Sequence, residues 1–167
     1  MVRKLPEQPA DPKAIEERAV YLLSRREHSR MELQRKLTQK GFEPDAVAQV
    51  LDQLEARNWQ SDARFSSSFI RQKSQQRQGP RKILAQLSER GVQGEAVQAE
   101  LEAQNIDWFA LAREALYRKF KVPAGNDPKE RARRQRFLAS RGFSMAHIRA
   151  AMEWLESDDF DPGDAIF

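Results

Sequence analysis

Apolar residues recur along this chain at three- and four-residue spacing, the period of a helix with one buried face. Ile15, Ala19, Leu22 and Leu23 form one such stripe. Phe65 with Phe69, Val47 with Leu51 and Leu54, and Ile148 with Met152 and Leu155 form others. No segment alternates with the period of a strand, so the pattern predicts an all-α fold. The stripes themselves repeat. Leu37-Thr38-Gln39-Lys40-Gly41-Phe42 returns as Leu87-Ser88-Glu89-Arg90-Gly91-Val92 and as Leu138-Ala139-Ser140-Arg141-Gly142-Phe143, with the glycines 50 and 51 residues apart. Counted from those glycines, six columns are apolar in every unit. They are Ile15/Phe65/Leu116, Ala19/Phe69/Phe120, Leu37/Leu87/Leu138, Phe42/Val92/Phe143, Val47/Val97/Ile148 and Leu51/Leu101/Met152. At 40% hydrophobic residues, chance makes a column apolar in all three units about 6% of the time. Six such columns mark a three-fold repeat.

Each unit reads as three helices. The second helix has a clear start every time. Ser29-Arg30-Met31-Glu32 is a capping box, and Gly79-Pro80 and Asp127-Pro128 put proline at the first helical position, where its missing N–H is harmless. The recurring glycine ends that helix, because it adopts a left-handed conformation without steric penalty. Glu43-Pro44 or Ser144 then opens a third helix. Short joints at Asn58–Ser61 and Gln104–Asp107 favour an elongated, curved array in which each unit touches only its neighbours. The expected divisions are a disordered segment at 1–13, repeats at 14–58, 59–106 and 107–156, and an acidic tail at 157–167. Lys121–Asn126 is the loosest internal loop.

Composition narrows the classes. The 167 residues contain no cysteine, which excludes disulfides and thiolate metal sites. No apolar run nears the roughly 20 residues that span a bilayer, and the polar, proline-containing start does not read as a signal peptide. A soluble, cytoplasmic protein with no membrane partner is expected. Net charge is +4, but residues 156–167 carry five acids (Glu156, Asp158, Asp159, Asp161, Asp164) and no base. The remaining body, with 29 bases and 20 acids, stands at +9. A basic body with an acidic tail suggests a surface that faces a polyanion and a tail with a separate role.

No catalytic constellation is legible. His28 and His147, the two histidines, sit in different units with no second ligand nearby. No phosphate-cradling glycine loop is present. Ser66, Ser67 and Ser68 are consecutive and point around a helix, and Glu16-Glu17 and Asp158-Asp159 are neighbours on solvated faces. The chain is expected to be no enzyme and to need no cofactor and no metal. Trp59, Trp108 and Trp154 lie near helix ends or joints and are read as packing residues, not as stacking platforms for bases.

Basic charge at helical spacing remains. Arg71, Lys73, Arg77, Arg81 and Lys82 straddle a helix–turn–helix joint, and no Asp or Glu occurs between Ala63 and Ser88. A solvated helix surface would mix both signs, so this run is a candidate for neutralising phosphates or meeting an acidic groove. Unit one adds Arg25, Arg26, Arg30, Arg35, Lys36 and Lys40; unit three adds Lys129, Arg131, Arg133, Arg134, Arg136 and Arg141. Acids interleave in both of these.

One ordered set of residues carries a resemblance. Asp62, Phe65, Phe69, Gly79-Pro80, Leu87 and Gly91, with His28–Leu33 and Leu37 before them and Ile106-Asp107-Trp108 after, resemble the signature of the RecX family over about residues 14–156. The resemblance implies tandem three-helix units and a bacterial regulator of the RecA recombinase. Such proteins bind in the groove of the RecA–single-stranded DNA filament and suppress filament growth, ATP hydrolysis, strand exchange and co-protease activity. It implies a monomer at work in DNA repair, homologous recombination and the SOS response. By that resemblance the basic residues of all three units would face the filament groove and its DNA, and Arg71, Lys73, Arg77, Arg81 and Lys82 are the ones carried over as contacts. The sign of the effect on RecA is left open by the sequence.

The ending Glu156-Ser157-Asp158-Asp159-Phe160-Asp161-Pro162-Gly163-Asp164-Ala165-Ile166-Phe167 departs from that pattern. It resembles the acidic, phenylalanine-ended tip of bacterial single-stranded DNA-binding proteins, and a solubilising tail is the plainer reading. Two further functions compete with filament regulation: a stand-alone, architectural DNA-binding protein that uses the same bases, and a helical scaffold that uses none of them.

Overall fold

The computed structural model describes residues 4–157 together with Phe160, Asp161 and Gly163. Residues 1–3 and most of the acidic tail, Phe167 included, lie outside the described residues. The described residues fold into nine helices and no strand: α1 Pro12–Arg25, α2 Arg30–Lys40, α3 Pro44–Ala56, α4 Asp62–Gln75, α5 Pro80–Glu89, α6 Glu95–Ala103, α7 Trp108–Phe120, α8 Pro128–Ser140 and α9 Met145–Glu156.

Helix boundaries follow local chemistry. The capping box before α2 is complete, with Ser29 Oγ accepting from the Glu32 amide and the Glu32 carboxylate accepting from the Ser29 amide, each at 3.1 Å. Asp107 and Asp127 cap α7 and α8 through their carboxylates. The recurring Leu-x-x-x-Gly-Phe/Val segment closes each second helix in one way. The amide after the glycine donates to the leucine carbonyl (Phe42 to Leu37, Val92 to Leu87, Phe143 to Leu138; 3.0–3.2 Å), while the glycine amide donates to Thr38, Ser88 or Ala139. Those two bonds need a left-handed residue between them, and Gly41, Gly91 and Gly142 supply it at φ +111°, +76° and +96°.

The chain divides into two compact units, Met1–Ser68 with Leu87–Glu100, and Phe69–Gln86 with Leu101–Phe167. In the first, α1, α2 and α3 enclose Ile15, Ala19, Leu33, Leu37, Val47, Leu51 and Leu54, with Phe42 sealing the end. The turn at Gly91 lies against the start of α2, where Ser29 Oγ donates to the Arg90 carbonyl at 2.8 Å and the Met31 side chain fills the space a Cβ at Gly91 would need. Part of the segment expected to be disordered, residues 4–13, is described. Leu5 and Pro6 lie over Gly41, the Pro9 carbonyl accepts from the Glu43 amide at 2.9 Å, and Asp11 caps α1.

In the second unit α7 packs on α9 and α8 around Ala112, Leu116, Leu138, Phe143, Ile148, Ala151 and Leu155. The turn at Gly142 lies against the start of α5, with the Gly79 amide donating to the Arg141 carbonyl (2.7 Å) and the Arg81 amide to the Gly142 carbonyl (3.0 Å). Each unit thus seats a glycine turn from one repeat on the beginning of a second helix from the repeat before it. Trp108 and Trp154 join the core as expected. Trp59 corrects the expectation. It sits in the turn after α3, 50% exposed, and the Arg57 guanidinium lies over its ring at 5.2 Å.

Candidate functional site: a basic surface at the helix joints

The five bases of the second repeat gather around the turn that links α4 to α5. Arg71 and Arg81 are exposed on the two helices that flank it. Lys73 lies with its ammonium 5.4 Å from the Phe69 ring. Arg77 occupies the turn itself at φ +59°, and its guanidinium stands 3.5 Å from Glu114. Lys82 is half-buried, its stem pressed on Gly142. Arg141, from the end of α8, donates to the carbonyls of Arg77 and Gln76. Burial and the nearby charge of Arg77 lower its pKa from the usual arginine value. The joint is therefore clamped by the α8 turn, and its exposed cations stand on a fixed backbone.

Elsewhere the candidate bases divide by what already holds them. In the first unit Arg26 is paired with Glu32 at 2.9 Å. Burial opposes ionisation of Glu32, but Arg26 and the Ser29 amide outweigh it and hold the carboxyl below its ordinary range. Arg30 bridges Asp52 (2.7 Å) and Glu55 (2.9 Å), and Arg35 donates to the Glu89 carbonyl. Lys36 reaches His28 at 2.9 Å, while Arg25 and Lys40 are exposed. In the third repeat Lys129, Arg131 and Arg136 are exposed, and Arg133 pairs with Glu130 at 3.2 Å.

Arg134 is different in kind. It is 4% exposed, donates to Glu130 at 3.0 Å and to the Val122 carbonyl, and lies 4.7 Å from the Phe120 ring. Expected as a surface contact, it instead fastens the 121–126 loop to α8, since a buried guanidinium must spend its donors inside the protein. Arg64, which sequence reasoning passed over, holds the joint before α4 through Glu27 (2.8 Å) and the carbonyls of Asn58 and Trp59.

Fold and surface together define a tandem three-helix repeat protein with a clamped basic joint in its middle repeat. Models of the first, second and third three-helix domains of RecX match residues 17–54, 61–101 and 105–152. The chain is 48% identical over 134 residues to regulatory protein RecX of Chromohalobacter salexigens, covering 80% of this chain and 88% of that one. It is 41% identical over 137 residues to regulatory protein RecX of Pseudomonas entomophila, covering 82% and 88%. Among solved structures, a regulatory protein RecX superposes with TM-score 0.72 at 19% identity over 85% of this chain and 73% of that one. RecX from Lactobacillus salivarius superposes at 0.68 and 18% identity over 86% and 96%. The chain belongs to the RecX family, a family of regulatory proteins.

Proposed function

We propose that the protein regulates the RecA recombinase by binding in the groove of the RecA–single-stranded DNA filament. It acts as an inhibitor, suppressing filament growth and with it ATP hydrolysis, strand exchange and co-protease activity. The observation that carries this reading is the basic joint of the second repeat, where Arg71 and Arg81 are exposed beside a turn fixed by Arg141. Cations held on a rigid frame lose little freedom on meeting phosphates or carboxylates, so their attraction goes into affinity and orientation. The repeats at 14–58, 59–106 and 107–156 present such joints in succession, and a cytoplasmic monomer suffices. Arg25, Lys40, Arg131 and Arg136 extend the surface. Arg26, Arg30, Arg133 and Arg134 contribute less, because they are already paired.

Co-sedimentation with RecA assembled on single-stranded DNA tests this. The protein is expected in the pellet with the filament, and Arg71→Glu with Arg81→Glu should release it at physiological salt. Binding that is equally tight to DNA without RecA would favour the architectural reading. If six to ten phosphates are contacted, affinity falls by roughly three to five decades between 50 and 200 mM salt.

A further inference from the structure

Helix α1 turns one row of side chains away from the core of the first unit. Arg18, Tyr21 and Arg25 are spaced three and four apart, so they share a face. Ile15 and Ala19 of the same helix are fully buried, whereas Tyr21 is 48% exposed and lies outside the core of α1, α2 and α3. The Arg18 guanidinium lies over its ring at 4.9 Å. Arg18 also lines a groove of about 370 Å³ between α1 and α2, where Lys4, Lys36 and Lys40 join it and no acidic side chain does. Lys36 is fixed there by the His28 ring nitrogen, 2.9 Å away. Among the described residues none of Lys4, Arg18, Arg25, Lys36 and Lys40 is in an ion pair.

An exposed aromatic ring beside a row of uncommitted cations matches the chemistry of a single nucleic-acid strand. Its unpaired bases offer faces that stack on the ring, and its phosphates draw the positive charges. A duplex keeps its bases stacked inside, and taking one out costs energy. An acidic peptide uses the cations alone. Trp59, another exposed ring of this unit with a guanidinium over it, lacks the second part, because its Arg57 is committed to Glu16 at 2.6 Å.

We infer that Tyr21 and the groove cations form a single-stranded DNA site within the first unit. A base stacks on the Tyr21 ring beside Arg18, and Lys4, Arg25, Lys36 and Lys40 take the flanking phosphates. Only the choice of DNA over RNA rests on the proposed function. The site needs no RecA and shares no residue with the basic joint of the second repeat.

The test measures binding of a short fluorescein-labelled oligothymidylate by anisotropy, without RecA, to the full chain carrying Arg71→Glu with Arg81→Glu. The second repeat's surface no longer contributes in that background, so a failure here leaves the filament reading to its own pelleting experiment. Tyr21→Ala should weaken binding by about fivefold or more, while Tyr21→Phe keeps it. An oligomer of the same length with abasic sugars should bind more weakly, and Tyr21→Ala should then change nothing further. Lys36→Gln with Lys40→Gln should weaken binding and lower the salt slope by about 1.4, the share of two phosphates on a single strand, whereas Tyr21→Ala leaves that slope as it is. Binding that ignores Tyr21, in variants that melt like the parent, overturns the assignment. A loss on Tyr21→Ala that is as large for the abasic oligomer does the same. So does a loss on Lys36→Gln with Lys40→Gln of affinity for a glutamate-rich peptide with thymidylate binding unaltered; the groove would then be a peptide site.

Discussion

Both histidines are held as neutral acceptors. His28 Nδ1 faces the Arg26 carbonyl at 3.0 Å, so that nitrogen donates and Nε2 accepts from the Lys36 ammonium. His147 Nδ1 accepts from the Ser144 amide at 3.2 Å, the same task that Glu32 performs before α2. Burial is the main cause that lowers both pKa values; Arg26 and Lys36 add to it at His28 and Glu32 opposes it, while Asp107 opposes it at His147. The unfolded chain therefore binds more protons below the ordinary histidine value of about 6.5, and stability falls as pH drops through that range. Denaturant melts at pH 7.5 and 5.5 should show this loss, and His28→Gln with His147→Gln should flatten it. The lowered carboxyls Glu32 and Glu130 act in a separate window, contributing above about pH 4.5 and losing that contribution below it.

The glycines give a second contrast at this scale. A Cβ at Gly142 would lie 2.4 Å from Lys82 Cβ and 2.6 Å from its backbone nitrogen, whereas one at Gly125 would meet nothing within 4 Å. Both have positive φ. Gly125→Ala should cost about 1 kcal/mol from backbone strain alone. Gly142→Ala adds an unrelieved clash and should cost about 3 kcal/mol or more, measurable in the same melts.

At the scale of elements, much of the fold was legible because its signals are local. The capping box at Ser29, the prolines at 12, 44, 80 and 128, and the three Leu-x-x-x-Gly turns fix helix ends by hydrogen bonds within a few residues. What the sequence could not give was which charge faces which. Arg134 and Arg133 are adjacent and chemically identical, yet one is buried under the 121–126 loop and the other is 59% exposed at its side chain. Arg134→Met should therefore destabilise the protein by about 2 kcal/mol, since the Val122 carbonyl loses its donor, while Arg131→Met should leave the melting temperature unchanged. Trp59 escaped for a similar reason: a joint that turns outward leaves its ring to solvent and to Arg57.

At the scale of the whole molecule, the proposed function rests on the second repeat, whose basic joint is held by the glycine turn of the third. The second repeat is the sharpest case, because no carboxylate interrupts it between Ala63 and Ser88. The most direct measurement is the rate of ATP hydrolysis by RecA on single-stranded DNA with this protein added at less than one per RecA. A strong fall in rate that Arg71→Glu with Arg81→Glu abolishes, in variants that melt like the parent, is the predicted result. An unchanged rate, or a fall that survives both substitutions, would contradict the account.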